Sequence, residues 1–486
     1  MSVIAKAGLS EKIGYGFGDM SSSMFWKIFS YYLPFFYSNI FGLSLAHAGT
    51  LVLVTKLYDA VSDPVMGLIA DRTNTRWGKY RPYLLWIAIP FAVAGVLAFF
   101  TPQTDNYTFK HVYAYVTYIL MMTVYTAINV PYGAMLGVMT DDSREKSVFS
   151  SFRMFFAFIG SFIAMGSFEP LLKLRQSILG TLPAEWTLAD STPADWTIAV
   201  SVIGIVCAVL FILSFMMTRE HVTEAEMAKA PVRENSDETA KTSVAEDLKA
   251  LVANGPWWML LGGGIAILLF NCVRGGAAAY YFADVLGTNA IFTLALFLTV
   301  GEISQLVGVV VTVPVSEKIG KKATFLLVLV AVTVLSIIVA FLPETPAGMW
   351  ALLVSQILIC IAIGINSPLL WSMFADVADY SELKNGRAST GLIFSSSSMA
   401  QKFGAAFGSA IVLWVLMAFG YDNAKGAVQT PEALATIKAL ISWIPAIGSA
   451  AGIAIMLGYP LTDKKMSDIR QELSKKRLKI FAEKIF

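Results

Sequence analysis

Twelve long apolar stretches dominate the sequence and leave few folds open to it. An α-helix rises 1.5 Å per residue, so about 20 apolar residues are needed to cross the hydrocarbon core of a bilayer. Only 14% of the residues are charged and the mean hydropathy is +0.65, whereas soluble proteins carry about 25% charged residues. The stretches fall near 13–37, 49–70, 83–101, 111–139, 148–172, 196–217, 256–284, 290–315, 323–343, 348–374, 389–419 and 435–460.

A polar segment over residues 218–255 divides these stretches into six and six. Its charges are mixed and it has no apolar periodicity, which is typical of a solvated linker. We therefore predict an all-α polytopic membrane protein with twelve transmembrane helices in two six-helix bundles. The bundles are expected over 1–217 and 256–460, followed by a tail over 461–486.

Lysine and arginine are concentrated in one set of loops, which predicts the orientation in the membrane. The opposite loops at 38–48, 285–289 and 343–347 contain neither residue. Both termini, the linker and the tail are therefore expected in the cytoplasm. The basic loops carry Arg72, Arg76, Lys79 and Arg81 after the second stretch, and Lys318, Lys321 and Lys322 after the eighth.

These two basic loops also share an order of residue types: an acid, a base, a glycine and two further bases. Ordinary positive-inside loops would explain the charges but not the shared order. Ion pairs in such a loop can tie helix ends together while glycine permits a tight turn. We interpret the loops as a repeated cytoplasmic gate, joined by Asp376 and Asp379 of "ADVADYSE". The matched sets are Asp71, Arg72, Gly78, Lys79 and Arg81 against Glu317, Lys318, Gly320, Lys321 and Lys322.

Charged residues inside the apolar stretches are functional candidates, because each is costly there unless it is paired or hydrated. Asp59 and Asp63 share a helix face with Lys56, and Ser62 lies at the edge of that face. Two carboxylates so close favour a bound cation or proton, although neutralisation by a basic residue is the alternative. The other members are Asp19, Lys27, Arg153, Arg274, Glu302 and Lys402, of which Asp19, Arg153 and Glu302 also fit structural ion pairs.

Enzymatic and nucleic-acid-binding functions find little support. No glycine-rich phosphate loop ending in Gly-Lys-Ser/Thr is present, and the net charge of +2 is small. The three histidines lie in or near loops, away from the acid pair. A membrane-embedded transferase would need clustered acids in a loop, and Asp141 and Asp142 are better explained as a helix N-cap. We expect no cofactor and no catalytic residue.

Six motifs are spread over nearly the whole chain: "YGFGD", "YDAVSDPVMGLIADRTNTRWGKYRP", "YTAINVPYGAM", "SFRMFFAF", "ADVADYSE" and "YPLTDKK". They resemble motifs of the glycoside–pentoside–hexuronide:cation symporters, a branch of the major facilitator superfamily. The resemblance implies the major facilitator fold, alternating access, a central sugar site and a coupling cation (H⁺ or Na⁺) held by Asp59, Ser62, Asp63 and Thr126. The sugar is then expected to contact Asp19, Ser22, Ser23, Lys27, Tyr125, Asn129, Arg153, Arg274, Trp371 and Lys402.

Departures from the family pattern bear on the substrate. Ser22 and Ser23 stand where relatives of the galactoside branch have a Lys–Asp pair, and Asn129 stands where they have Asp. A galactoside is therefore disfavoured, and the glucuronide and xyloside branches are closer. Ser62 replaces an Asn of the relatives, which shifts the expectation slightly from Na⁺ towards a proton.

The prediction is thus a cation-coupled sugar symporter of a bacterial plasma (inner) membrane, acting on a glycoside, pentoside or hexuronide. Its partners would be the sugar, the cation and the lipid bilayer, and it is expected to act as a monomer. The alternatives are an exporter of a drug-like or lipid molecule on the same fold, and a membrane-embedded transferase.

Overall fold

The computed structural model describes residues 8–140, 143–221, 249, 251–385, 390–424 and 427–485. Within these ranges the regular structure is helical, apart from one isolated β-bridge between Thr75 and Gly78. The helices are α1 (Leu9–Tyr31), α2 (Leu33–Phe35), α3 (Leu45–Asp71), α4 (Arg81–Trp86), α5 (Ala88–Ala98), α6 (Tyr107–Met139), α7 (Ser143–Ile178), α8 (Pro193–Met217), α9 (Gly255–Tyr280), α10 (Leu294–Ile319), α11 (Lys321–Ala340), α12 (Pro346–Asn385), α13 (Thr390–Ala418), α14 (Pro431–Ile441), α15 (Trp443–Leu457) and α16 (Asp463–Ile485). Short π-helical segments over Phe36–Ile40 and Tyr281–Leu286 extend α2 and α9, and single 3₁₀ turns lie at Leu188–Asp190 and Gly287–Asn289.

Nine helical segments of the described chain are long and apolar enough to cross a membrane. Two long helices outside this set, α1 and α3, carry intramembrane charges such as Asp19 and Asp59. The third predicted stretch is divided at Ile87 between α4 and α5. A chain built largely of membrane-length apolar helices agrees with the sequence analysis, while the count of twelve spans stays a prediction.

The helices form two compact units that do not follow chain order. Residues 1–233, 275–302 and 409–438 belong to the first unit, and residues 234–274, 303–408 and 439–486 to the second. Helices α9, α10, α13 and α14 therefore contribute to both. Most of the predicted linker, Asp141 and Asp142 lie outside the described residues, and the division into bundles at 1–217 and 256–460 stays a prediction.

Small residues permit close helix packing in each unit, as expected where lipid gives helices no hydrophobic reason to associate. In the first unit, a Cβ on Gly160 of α7 would overlap the backbone of Met20 in α1. In the second, a Cβ on Gly308 of α10 would overlap the Ile361 carbonyl of α12, and one on Gly364 would overlap the Gln305 carbonyl. These crossings fix the helices against each other through backbone contact.

The start of α8 is held by a fully buried carboxylate. Asp195 accepts hydrogen bonds from the Thr192 amide at 2.8 Å and the Thr192 hydroxyl at 2.7 Å. It also accepts one from Gln176 Nε2 at 2.7 Å and pairs with Arg175 at 3.2 Å. One side chain thus caps α8 and joins it to the end of α7.

We expect Asp195→Ala to lower the free energy of unfolding by about 2–4 kcal/mol, because it removes a helix cap worth about 1 kcal/mol and takes an acceptor from the buried Gln176 amide, which costs about 1–3 kcal/mol. Thermal unfolding in detergent, followed by circular dichroism, measures the loss. Asp190→Ala is the matched control: it removes a similar but exposed cap at the preceding turn, which is worth about 1 kcal/mol. Equal shifts in the two variants would contradict the role of Asp195.

Candidate functional site

Three side-chain oxygens meet where α3 and α6 pack together in the first unit. Thr126 Oγ1 lies 2.7 Å from Asp59 Oδ1 and 3.2 Å from Asp63 Oδ1. Asp59 is only 5% exposed and Thr126 is 2% exposed. A hydroxyl has one proton to donate, so Thr126 cannot donate fully to both carboxylates.

Ser62 belongs to this cluster, and Lys56 lies one turn before Asp59 on the same helix. Ser62 donates to the Asp59 carbonyl at 3.1 Å and its hydroxyl lies 3.4 Å from Thr126 Oγ1. The Lys56 ammonium lies 5.1 Å from the centre of the Trp26 ring. We name Asp59, Ser62, Asp63 and Thr126 the acid-pair site. Its oxygens are the hard ligands that alkali cations and protons prefer.

Asp19 and Arg153 form a two-point ion pair between α1 and α7. Arg153 Nε lies 3.1 Å from Asp19 Oδ2, and its Nη2 lies 3.4 Å from Oδ1. The guanidinium also lies 5.2 Å from the centre of the Tyr132 ring. Tyr132 in turn stacks on Tyr15 at 4.7 Å and donates to the Tyr15 carbonyl at 2.6 Å. Arg153 is therefore held in place by a carboxylate and an aromatic face.

Four further predicted sugar contacts of the first unit are one aromatic residue and three small polar residues on α1 and α6. Tyr125 is adjacent to the Trp26 ring at 6.0 Å, so the two form an aromatic surface beside the acid-pair site. Asn129 donates to the Tyr125 carbonyl and Ser22 to the Gly18 carbonyl, each at 3.0 Å and within its own helix. Ser23 is half-buried. The Ser22 hydroxyl proton and one of the two Asn129 amide protons are therefore used within their own helices.

Lys27 has a partner that the sequence analysis left undetermined. Its ammonium lies 2.6 Å from Glu302 Oε1 of α10, with side chains 18% and 3% exposed. The same ammonium lies 5.6 Å from the centre of the Tyr31 ring. Glu302 was identified as a member of a structural ion pair or a functional residue, and the pairing links the first half of the sequence to the second.

Three predicted sugar contacts belong to the second unit. Arg274 of α9 is 5% exposed and donates to Gln356 of α12. Trp371 of α12 is 37% exposed and packs on Phe374 at 5.9 Å. Lys402 of α13 is half-buried. Their part in a sugar site stays a prediction.

The backbone of the first predicted gate loop is held by a carboxylate that the sequence analysis missed. Glu220, just beyond α8, accepts hydrogen bonds from the backbone amides of Lys79, Tyr80 and Arg81 at 2.7–2.8 Å. Gly78 precedes them with φ +112°, a conformation that favours glycine. Within the loop, Asp71 accepts from Tyr80 at 2.7 Å and pairs with Lys79 at 3.7 Å.

The loop's arginines lie on neighbouring aromatic rings. Arg76 lies 4.6 Å from the centre of the Trp77 ring, and Arg81 lies 4.3 Å from that of Phe215. Arg81 Nε also donates to the Phe215 carbonyl at 2.8 Å, and burial lowers the pKa of this guanidinium. Arg72 follows the end of α3 as its C-cap. The loop is thus anchored to the end of α8.

The second gate loop repeats this arrangement. Gly320 has φ +86°, and the next amide, of Lys321, donates to Asp463 at 3.1 Å. Asp463 follows α15, the last long apolar helix, much as Glu220 follows α8. A carboxylate beyond each half therefore caps a glycine turn, in addition to the shared order of charges. Nothing in the sequence around Glu220 signals this role.

The ion pairs of the second loop involve both predicted acids of "ADVADYSE". Lys321 and Arg470 each lie 2.6 Å from Asp376, and Arg470 lies 3.6 Å from Asp379. Lys322 donates to the Leu457 carbonyl at 2.9 Å, and Lys318 lies in the last turn of α10. Arg470, which belongs to the tail helix α16, was not identified from the sequence.

Residues 14–463 match the family described as MFS/sugar transport protein. One curated relative is YagG of Escherichia coli, a candidate glycoside/cation symporter, 36% identical over 96% of this chain and 95% of its own. The inner membrane symporter YicJ of Escherichia coli is 33% identical over 96% of this chain and 95% of its own. The isoprimeverose transporter of Lactiplantibacillus pentosus is 31% identical over 95% of this chain and 91% of its own.

Solved structures share the fold at low sequence identity. A bacterial homologue of the human drug peptide transporters has a TM-score of 0.64 at 14% identity, covering 96% of this chain and 100% of its own. A D-xylose–proton symporter has a TM-score of 0.61 at 14% identity, and the match covers 93% of this chain and 98% of its own. At such identities the likeness shows the fold alone, and it confirms the predicted all-helical transporter fold.

If the acid-pair site binds a cation, as predicted, binding would stabilise the folded protein by RT ln(1 + [cation]/Kd), about 2.7 kcal/mol at 100 times Kd. We expect the unfolding midpoint to rise with Na⁺ concentration or with proton concentration. Thr126→Ala removes one oxygen ligand, so its midpoint curve should move to about tenfold higher cation concentration. Titration of the thermal midpoint with NaCl against choline chloride, at several pH values, measures this.

Thr123→Ala is the matched control for Thr126→Ala, because Thr123 lies one turn away on α6 and is exposed. Its midpoint curve should coincide with that of the unmodified protein. A cation response that survives unchanged in Thr126→Ala would argue against binding at these oxygens.

Proposed function

The chain belongs to the MFS/sugar transport protein family, and we propose that it is a secondary active transporter that imports a sugar with a coupling cation. The resemblance to the glycoside–pentoside–hexuronide:cation symporters is confirmed by the family match and by the curated relatives. Sugar and cation would cross the plasma membrane by alternating access, with the sugar between two six-helix bundles.

The observation that carries this proposal is the meeting of two carboxylates at one hydroxyl. Asp59 Oδ1 and Asp63 Oδ1 lie 2.7 Å and 3.2 Å from Thr126 Oγ1, and Lys56 shares their helix. Two carboxylates so close raise each other's proton affinity, and a bound proton or monovalent cation relieves their repulsion.

Relief of that repulsion provides a physical route to coupling. Two ionised carboxylates held close together repel each other and are costly away from water, and a transporter must exclude water from its site when the site passes between the two sides. A bound H⁺ or Na⁺ relieves this repulsion, so the loaded site can close. Asp59, Ser62, Asp63 and Thr126 would hold this cation.

The sugar site is proposed beside the cation site. Trp26 and Tyr125 offer aromatic faces, and the Asp19–Arg153 pair offers charged donors and acceptors to hydroxyl groups. The names of curated relatives include a glycoside/cation symporter and an isoprimeverose transporter, which supports a glycoside, pentoside or hexuronide as substrate. The full proposed set is Asp19, Ser22, Ser23, Lys27, Tyr125, Asn129, Arg153, Arg274, Trp371 and Lys402.

We further propose twelve spans, with both termini and both gate loops in the cytoplasm of a bacterium. The excess of lysine and arginine around residues 72–81 and 318–322 supports this orientation. The helix ends near Asn39, Asp284 and Tyr421 would then face the outside of the cell. The protein would act as a monomer and needs no cofactor beyond its coupling cation.

Counterflow in proteoliposomes tests the function directly. We expect exchange of at least one labelled sugar from a panel of glycosides, pentoses and uronides, with a dependence on Na⁺ or pH. The absence of exchange for every sugar under every ion condition would overturn the proposed import. An exporter of drug-like or lipid molecules on the same fold would give that result.

Asp63→Asn separates coupling from sugar binding. The variant removes one carboxylate of the acid pair and with it the repulsion that a cation relieves, so we expect uphill accumulation to fall about tenfold or more while sugar exchange persists. Accumulation against a gradient in vesicles, compared with counterflow, gives the two rates. Asp105→Asn, the same change in an exposed loop, should match the unmodified protein. Accumulation retained in Asp63→Asn would place the coupling cation elsewhere.

A further inference from the structure

The first turns of α10 are bound to α1 and α7 by two carboxylates, one from each side of the contact. Glu302 of α10 accepts from Lys27 of α1 at 2.6 Å. Glu169 of α7 accepts from the Ala295 amide, in the first turn of α10, at 3.0 Å. We propose that these two contacts form an extracellular latch, which holds the transporter closed to the outside and must break when sugar enters.

The inner contact is the stronger of the two in electrostatic terms. Glu302 is 3% exposed, and an ion pair at 2.6 Å that is shielded from water is weakly screened. Glu302 Oε2 has no hydrogen-bond partner among the described residues. The carboxylate therefore depends on Lys27 for most of its stabilisation, and loss of the Lys27 charge leaves a buried anion.

The outer contact uses the helix end itself. The first backbone amides of a helix have no partner within it and carry partial positive charge. Glu169 meets one of them at Ala295, and its other oxygen pairs with Lys173 at 3.0 Å. A cavity of about 360 Å³ lined by Glu169, Lys173, Trp186 and Leu294 borders this contact. Water therefore reaches the outer contact before the inner one.

Between the two contacts the helices touch closely. A Cβ on Gly166 of α7 would lie 3.4 Å from Thr299 Oγ1 of α10, so α7 and α10 leave little space there. Farther out, Asn39 donates to Tyr421 at 2.7 Å, and Tyr421 donates to Asp284 at 2.8 Å. Polar contacts thus recur at Glu302, at Ala295 and around Tyr421, and the close approach of Gly166 to Thr299 lies between the first two.

Such a latch is suited to repeated opening and closing, because water can replace the hydrogen bonds and ion pairs that are broken when it opens. Opening exchanges two charge-assisted contacts for hydration, whereas an apolar seal would expose surface that water does not stabilise. This role rests on the proposed alternating access and orientation. It is tested by a readout that needs neither the sugar nor the coupling cation to be known.

The reporter is Thr299→Cys in a background with Cys207, Cys272 and Cys360 replaced by serine. A membrane-impermeant maleimide is added to right-side-out vesicles, and its rate of reaction measures how often the outside opens. We expect Glu302→Gln and Glu169→Ala each to speed labelling about tenfold, within the range usual for a coupled switch. Glu432→Gln, at an exposed position of the proposed outer face, should leave the rate unchanged.

Charge exchange separates a latch from a general loss of packing. Lys27→Glu combined with Glu302→Lys restores an ion pair, so labelling should return towards the slow rate of the reporter alone. Unchanged labelling in both Glu302→Gln and Glu169→Ala would overturn the latch, even where sugar counterflow succeeds. Faster labelling in a protein that exchanges no sugar would keep the latch and overturn only the proposed import.

Discussion

Pairing of buried charge is the interaction on which the rest of this molecule depends. An unpaired charge inside an apolar helix bundle is strongly unfavourable. In the structure, Asp19 forms an ion pair with Arg153, and Glu302 forms one with Lys27. The same rule draws attention to the acid-pair site, because Asp59 and Asp63 both approach Thr126 Oγ1. A bound proton or monovalent cation would relieve their repulsion, so the need to neutralise charge joins the fold to the proposed coupling.

The ends of the bundles follow a related principle, in which carboxylates satisfy backbone amides. Glu220 receives three consecutive amides of the first gate loop, Asp463 receives one of the second, and Glu169 receives one at the start of α10. Each contact joins segments that are distant in sequence. A carboxylate can exchange such a contact for water at modest cost, which suits places where a transporter must open.

Sequence reasoning reached most of the acid-pair site because helical periodicity is local. Offsets of three and four residues placed Lys56, Asp59 and Asp63 on one face without any tertiary information, whereas Thr126 was assigned through family resemblance. Glu220 and Arg470 escaped notice because their partners lie more than 90 residues away. Their neighbouring residues are ordinary polar residues that carry no periodic pattern.

The sequence by itself determined the all-helical membrane architecture, the family and the identity of the charged residues, since apolar length and charge placement are properties of the chain alone. Only the tertiary structure decided which charges meet. Lys27 is a predicted sugar contact, and the structure places its ammonium 2.6 Å from Glu302, 275 residues further along the chain. Pairing of this kind depends on how helices pack in three dimensions, and the spacing of residues within one helix carries no record of it.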